Sequence, residues 1–305
     1  MCCEVGYKRF HKSLLPVLAG DSKSNSSAAT MTDSYAVMGN PIGHSLSPAI
    51  HAQFAGQLGE HLTYEAILVE LDGFSQAVHD FHARGGRGLS VTVPFKETAW
   101  SLALRRCPRA EIAGAANTLW FDENGVIIAD NTDGVGLTTD LVRALDVEIR
   151  GARVLMLGAG GAARGALGAL LEEAPAHLVI ANRTPAKAHT LADLIGGHDE
   201  VVGCGYDELG SFEFDIIINA TSASLAGEVP RIPVGTLSRS VCCYDMMYGA
   251  TPTVFLTWAR QNGATRLSDG LGMLVEQAAQ AFYLWRGVRP QTLPVLSQLR
   301  HRIGN

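Results

Sequence analysis

The chain has 305 residues, 47% of them hydrophobic and 18% charged. That is enough apolar material for a large core and favours two domains over one. A formal net charge of -6 gives no electrostatic footprint for nucleic acid, and no apolar run is long enough to cross a bilayer as a helix.

Lys8, Arg9 and Lys12 precede a short apolar run, Leu14 to Ala19. The run imitates a signal peptide but is short and interrupted by Pro16. Asp21 to Thr30 is rich in Ser, Ala and Asn and reads as disordered. Residues 1–30 are therefore expected to be an extension, with Met31 just before the first strand. Tyr35 to Met38 predicts that strand, and the turn-forming run Gly39 to Pro48 follows it. Pro48 is placed to open a helix that carries Ile50, His51, Phe54 and Leu58 at helical spacing. Thr63 to Leu68 predicts a strand, Leu71 to Ala83 a helix, and Gly88 to Pro94 a further strand. Strands alternating with helices argue for a parallel α/β layer.

The segment Val91-Thr92-Val93-Pro94-Phe95-Lys96-Glu97 ends that third strand, because proline has no N–H for the ladder. Lys96 then stands just past a strand end, where α/β proteins meet their ligands. A lysine held there by a rigid scaffold suits acid–base work. Other polar side chains gather at loop positions: Ser45 and Ser47, Thr92, Asn117 and Thr118, then Asn131, Thr132 and Asp133. Hydroxyls and amides of this kind suit a substrate carrying several hydroxyl groups. A domain boundary is expected between Asn131 and Arg150.

Beyond it, Arg153 to Leu157 predicts a strand that runs into Gly158-Ala159-Gly160-Gly161-Ala162-Ala163 and an Ala/Leu-rich helix. This is the dinucleotide fingerprint with alanine at its third small position. Gly158 permits the tight turn, Gly160 lets the backbone approach a pyrophosphate, and Ala163 is small enough for close helix–strand packing. Leu178 to Ala181 is the next strand. At its end, where an NAD site carries Asp or Glu for the ribose, this chain has Asn182, Arg183 and Thr184, with Lys187 one turn later. Two cations and no carboxylate suit a 2′-phosphate, so NADP is expected. Phe214 to Asn219 and Val241 to Asp245 predict strands, and Leu271 to Trp285 a long helix.

Other patterns carry no site. His79 and His82 lie together on a predicted helix, but no carboxylate–histidine set accompanies them, so no metal is expected. The six cysteines show neither C-x-x-C nor zinc-ligand spacing, which fits a reducing, cytoplasmic setting. Cys242 and Cys243 sit on an apolar strand, where packing is the ordinary role. Neither a coiled coil nor an interface stripe declares an assembly, and a homodimer stays open.

In chain order, GNPIGHSLSP (39–48), VTVPFKE (91–97), GAANT (114–118), NTDGVG (131–136), GAGGAARG (158–165), NRT (182–184), NATS (219–222), YDMMY (244–248) and DGLGMLVEQAAQAF (269–282) form a recognisable series. The chain resembles the shikimate/quinate dehydrogenase family, and its NADP-dependent shikimate dehydrogenases most closely, from Tyr35 to the C-terminus. The resemblance implies an α/β fold of two domains. An N-terminal substrate domain, 31–132, would be completed by C-terminal helices, 270–305, around a Rossmann-like NADP-binding domain, 133–269.

It further implies the NADPH-dependent, reversible reduction of 3-dehydroshikimate to shikimate, on the route to chorismate and the aromatic amino acids. Ser45 and Ser47 match the serines that hold the substrate carboxylate. Thr92, Asn117 and Gln277 match residues that bind ring hydroxyls, and Tyr248 another substrate-side residue. Lys96 and Asp133 match the catalytic pair. Lys96 would then donate the proton, or stabilise charge while water does so. Gly158, Ala159, Gly160, Gly161, Ala162, Ala163, Asn182, Arg183, Thr184 and Lys187 match the cofactor site, with Met246 and Gly270 at the nicotinamide end. Lys187 stands where some relatives have Arg, and Ala116 where Val is common. Two alternatives are a quinate/shikimate dehydrogenase of broader substrate or NAD use, and a non-catalytic NADP-binding sensor.

Overall fold

The computed structural model of the protein describes residues 32–195 and 201–304, so the expected extension lies outside the described residues. Two six-stranded sheets organise the rest. The first is built from β1 (Asp33–Gly39), β2 (Leu62–Leu68), β3 (Gly86–Val91), β4 (Arg105–Arg106), β5 (Thr118–Phe121) and β6 (Ile127–Asp130), in the spatial order β2-β1-β3-β5-β6-β4. Its helices are α1 (Ser47–Leu58), α2 (Phe74–Ala83), α3 (Lys96–Leu102) and α4 (Pro108–Ala113).

This sheet departs from the all-parallel expectation. β1 pairs in parallel with β2 and β3, but β5 runs antiparallel to both β3 and β6. β5 and β6 are four residues each and are joined by a turn in which Asp122 Oδ1 accepts from the amides of Asn124 and Val126, both at 2.9 Å. The third strand also stops at Val91, three residues before Pro94. The amide of Thr92 still donates to the Met38 carbonyl at 3.0 Å, after which Phe95 N closes a turn onto Thr92 O. That turn delivers Lys96 as the first residue of α3.

The second sheet is wholly parallel and comprises β7 (Arg153–Leu157), β8 (His177–Asn182), β9 (Val201–Gly205), β10 (Phe214–Asn219), β11 (Leu237–Asp245) and β12 (Arg266–Asp269). Its order, β9-β8-β7-β10-β11-β12, is the doubly wound one in which the chain reverses direction between β7 and β10. Val154 to Leu157 and Ile216 to Ile218 are almost fully buried, because helices cover both faces of a parallel sheet. Those helices include α6 (Gly161–Glu172), α7 (Pro185–Asp193) and α8 (Val254–Gln261).

Two further helices matter for the site. α5 (Asp133–Thr139) follows β6 and runs on into one π-helical turn, Asp140–Ala144. α9 (Leu271–Arg286) follows β12 and is succeeded by α10 (Leu293–Gly304). Leu271, Val275, Ala279 and Phe282 of α9 pack with Ile50 and Phe54 of α1 and with Val295 and Leu299 of α10. Each such large side chain contributes roughly 1.5–3 kcal/mol by leaving water. The last long helix is therefore fixed against the first one, more than two hundred residues earlier in the chain.

Candidate active site

The NTDGVG run explains how three helices meet. A Cβ on Gly134 would lie 2.7 Å from the Gly165 carbonyl of α6, and one on Gly136 would lie 2.6 Å from the Met273 carbonyl of α9. Only glycine lets α5 pass between those two backbones. The close passage brings the start of α5, where Asp133 stands, beside Gln277 on α9 and Lys96 on α3. Arg109 on α4 steadies the same turn by pairing with the buried Asp130, whose Oδ1 accepts from the Asn131 amide at 2.7 Å.

Lys96 Nζ donates to Asp133 Oδ2 at 2.6 Å, with side chains 31% and 12% exposed. A cation on the first residue of a helix opposes that helix's dipole, whereas a carboxylate on a first residue favours it. Asp133 therefore compensates Lys96 at the one place where α3 would disfavour it. Asn117 Nδ2 donates to Asp133 Oδ1 at 2.8 Å, to Thr132 Oγ1 at 3.0 Å and to Gln277 Oε1 at 3.3 Å. The Asn117 oxygen accepts from Thr118 Oγ1 and from the Thr132 amide, both at 2.9 Å. Gln277 Nε2 donates to the Leu274 carbonyl at 2.9 Å, which fixes that amide's orientation. The carboxylate, two amides and two hydroxyls thus form one buried network around the ion pair.

A cleft of about 300 Å³ opens over this network. Ser45, Ser47, Thr92, Lys96, Asn117, Asp133, Tyr248, Gln277, Met246 and Gly270 all line it. At one end, Ser45 and Ser47 stand at the N-terminus of α1, and the Ser47 amide donates to Ser45 Oγ at 3.3 Å. That helix end presents partial positive charge to an anion. At the other end, Met246 and Gly270 touch closely: a Cβ on Gly270 would lie 2.1 Å from the Met246 carbonyl. Asp245 holds that strand end from beneath, accepting from Ser224 Oγ at 2.7 Å, Thr253 Oγ1 at 2.6 Å and the Met247 amide at 3.0 Å. Burial, and then the Asp269 carboxylate, push the Tyr248 phenol up, so it serves as a proton-bearing hydroxyl.

The remaining expected residues lie outside the cleft, along the ends of β7 and β8. Gly158 ends β7 with a φ of 106°, open to glycine and strained for other residues. A Cβ there would also come within 3.0 Å of Thr221. Gly160 and Gly161 face open space, with nothing within 4 Å of where a Cβ would stand, and α6 begins at Gly161. Bare backbone amides at a helix start, beside the point of strand reversal, fit a pyrophosphate. Ala159 and Ala162 pack partly on the core, while Ala163 is wholly buried in it. Asn182 Nδ2 donates to the Thr184 carbonyl at 2.9 Å, shaping the turn that leaves Arg183, Thr184 and Lys187 exposed. Among the described residues, no group of three or more His, Cys, Asp or Glu side chains could hold a metal ion. His82 instead stacks on Phe121 with ring centroids 4.0 Å apart.

Several lining residues were not singled out from the sequence: Ile42, His44, Ser90, Met273 and Leu274. Ser90 had a legible signal, since it precedes Thr92 by two and so shares its strand face. Thr132, grouped in the sequence with the other polar loop residues, joins the network through Asn117.

Three family descriptions match the chain: shikimate dehydrogenase substrate binding domain over residues 37–119, shikimate/quinate 5-dehydrogenase over 140–227, and shikimate 5′-dehydrogenase C-terminal domain over 270–300. A shikimate dehydrogenase (NADP(+)) of Cellvibrio japonicus (strain Ueda107) is 56% identical over 273 residues, which are 90% of this chain and 99% of that one. Among solved structures, an Ael1 enzyme from Pseudomonas putida superposes with a TM-score of 0.83 at 48% identity, over 88% of this chain and 98% of that one. A shikimate 5-dehydrogenase from Thermus thermophilus, in complex with NADP(H) and shikimate, superposes with a TM-score of 0.77 at 30% identity, over 89% and 99%. The glycine loop, the lysine–aspartate cleft and these matches along nearly the whole described chain agree, and the chain belongs to the shikimate dehydrogenase family.

Proposed function

We propose that this chain catalyses the reversible, NADPH-dependent reduction of 3-dehydroshikimate to shikimate. The observation that carries the reading is the Lys96–Asp133 ion pair at 2.6 Å, set in a cleft between a serine-lined helix end and the Met246–Gly270 contact. Ser45, Ser47 and the start of α1 hold the substrate carboxylate. Thr92, Asn117 and Gln277 bind ring hydroxyls, and Tyr248 closes the substrate from the far side. NADPH supplies the hydride when bound. Backbone amides from Gly158 to Ala163 hold its pyrophosphate, Arg183 and Lys187 its 2′-phosphate with Asn182 and Thr184 shaping that turn, and Met246 and Gly270 its nicotinamide end.

The protein's task is then to orient two reactants and manage one proton. Lys96 Nζ donates a proton to the carbonyl oxygen as it becomes an alkoxide, and takes it back in the reverse direction. Asp133 Oδ2 fixes the ammonium, and Asn117 fixes Asp133. If Lys96 instead served only as a fixed charge, Lys96→Arg would keep most of the turnover; as the proton carrier, it loses most of it.

The reading includes an arrangement of domains. Residues 31–132 with 270–305 form the substrate domain, and 133–269 the cofactor domain. Support comes from the shared core of α1, α9 and α10. A cytoplasmic location and a homodimer complete the proposal. Among the described residues, no helix is long and apolar enough to cross a membrane.

A spectrophotometric assay with shikimate, quinate and both nicotinamide cofactors tests the reading. Shikimate with NADP+ should give the highest kcat/KM. Preference for quinate would support the broader dehydrogenase, and binding without turnover a sensor.

A further inference from the structure

Behind the serine end of the cleft lies a partly buried aromatic stack with no part in the mechanism above. Tyr64 on β2 pairs with Tyr35 of β1, and Ser90 on β3 pairs with Val37. Paired residues of parallel strands share a face, as do residues two apart. Tyr64 and Ser90 therefore stand on one face, on either side of β1. The phenol spans that strand, its hydroxyl donating to Ser90 Oγ at 2.7 Å. Ser90 lines the cleft together with Ser45 and Ser47.

The ring is held from behind. The His51 imidazole of α1 stacks on it at 4.2 Å, with 5° between the planes, and Trp285 of α9 lies 5.3 Å from His51. His51 is 1% exposed, and neither ring nitrogen has a hydrogen-bond partner among the described residues. Burial pushes it down to about 3, so it stays a neutral plate. Burial pushes the Tyr64 phenol up, so its proton stays in place.

We infer that Tyr64 is a positioning residue for the substrate carboxylate, acting chiefly through Ser90. A serine hydroxyl has one proton on a free rotor. A donor fixed behind Ser90 Oγ occupies its acceptor side and turns its proton towards the cleft, where Ser45 and Ser47 stand. A donor aimed in advance leaves less ordering to be done when the anion arrives. The inference rests on the serine end being the carboxylate site.

Steady-state oxidation of shikimate by NADP+ tests it, with the full chain as wild type, Tyr64→Phe, Ser90→Ala and the double variant. Tyr64→Phe keeps the ring and its stack on His51. It should raise KM for shikimate roughly five- to tenfold, the scale of one net hydrogen bond. KM for NADP+ should stay within about twofold, and kcat should change less than KM for shikimate does. On the Ser90→Ala background the same change should add less than about twofold, because contacting residues are not additive. Shikimate methyl ester, which lacks the anion, should show nearly equal KM in wild type and Tyr64→Phe. An unchanged shikimate KM in Tyr64→Phe, an equal rise with the ester, or a rise in both substrates' KM with a lowered Tm would overturn the role of Tyr64. A wild type inactive on shikimate would overturn the functional reading instead.

Discussion

Asp140 opens the π-helical turn after α5 and is 2% exposed. Its Oδ2 accepts from the Tyr244 hydroxyl at 2.7 Å, and the Tyr244 oxygen accepts from the Met273 amide at 3.3 Å. Burial raises its pKa from 3.8 to about 6; the Tyr244 bond opposes the rise, Glu276 and Asp269 add to it, and Arg300 offsets them. Between those two values the folded protein keeps a proton that the unfolded chain has released. Stability from this site therefore falls as pH climbs from about 4 through about 6, and the cost is complete above that. It amounts to between ~1 and ~2 kcal/mol at pH 5 and ~3 kcal/mol at pH 8. Asp140→Asn carries no charge at either pH, and its amide oxygen still accepts from Tyr244. Thermal unfolding of both proteins should therefore show a Tm advantage for the variant that widens by roughly 3 °C from pH 5 to pH 8, at about 2 °C per kcal/mol. Any cost of fitting the amide beside Gly272 shifts the comparison equally at every pH. A difference that stays flat or narrows with rising pH would refute the reasoning.

Three other outcomes follow from packing and charge. Gly136→Ala places a Cβ 2.6 Å from the Met273 carbonyl and 2.8 Å from Gln277 Cβ, so α5 and α9 must part. The expected cost is about 1–3 kcal/mol of stability, read by Tm, with a raised KM for shikimate; unchanged values for both would mean the helices are not in close contact. Arg183→Ala with Lys187→Ala should lower kcat/KM for NADP+ by at least about tenfold, because charge-assisted bonds to phosphate are worth roughly 1.5–3 kcal/mol each. Efficiency with NAD+ should change far less, and equal losses with both cofactors would remove the two cations from the phosphate site. Cys242 and Cys243 are buried, and burial pushes their thiols up to about 11 and about 12. A thiol reagent at pH 8 should leave both unlabelled in the native protein and label both in denaturant, as mass spectrometry of tryptic peptides would read.

The sequence was most legible where burial is complete. Leu155 to Leu157 and Ile216 to Ile218 are continuous apolar runs because both sheet faces are covered, and the glycine loop sits between strand and helix as its spacing requires. The β5–β6 hairpin escaped notice because four-residue strands are too short for alternation to register. It is also what turns the first sheet from parallel to mixed. Pro94 marked the end of the third strand too late, since the backbone turns at Thr92, in place for Lys96 to begin a helix. Gly134 and Gly136 read only as part of a motif; that they let α5 pass between α6 and α9 is a fact of packing distance. Ala116 is fully buried in the same core cluster as Leu119 and Ala129, so a larger side chain there would be a matter of core volume. Tyr64 carried no signal, because its contact with Ser90 crosses an intervening strand.

The central claim is that Lys96, held by Asp133, moves the proton of an NADPH-dependent reduction. Turnover of 3-dehydroshikimate by wild type and Lys96→Ala, with NADPH affinity measured by cofactor fluorescence on the same preparations, tests it most directly. The account predicts active wild type, a fall in kcat of roughly 10²- to 10⁴-fold in the variant, and unchanged NADPH affinity. Turnover in Lys96→Ala within a fewfold of wild type would contradict it.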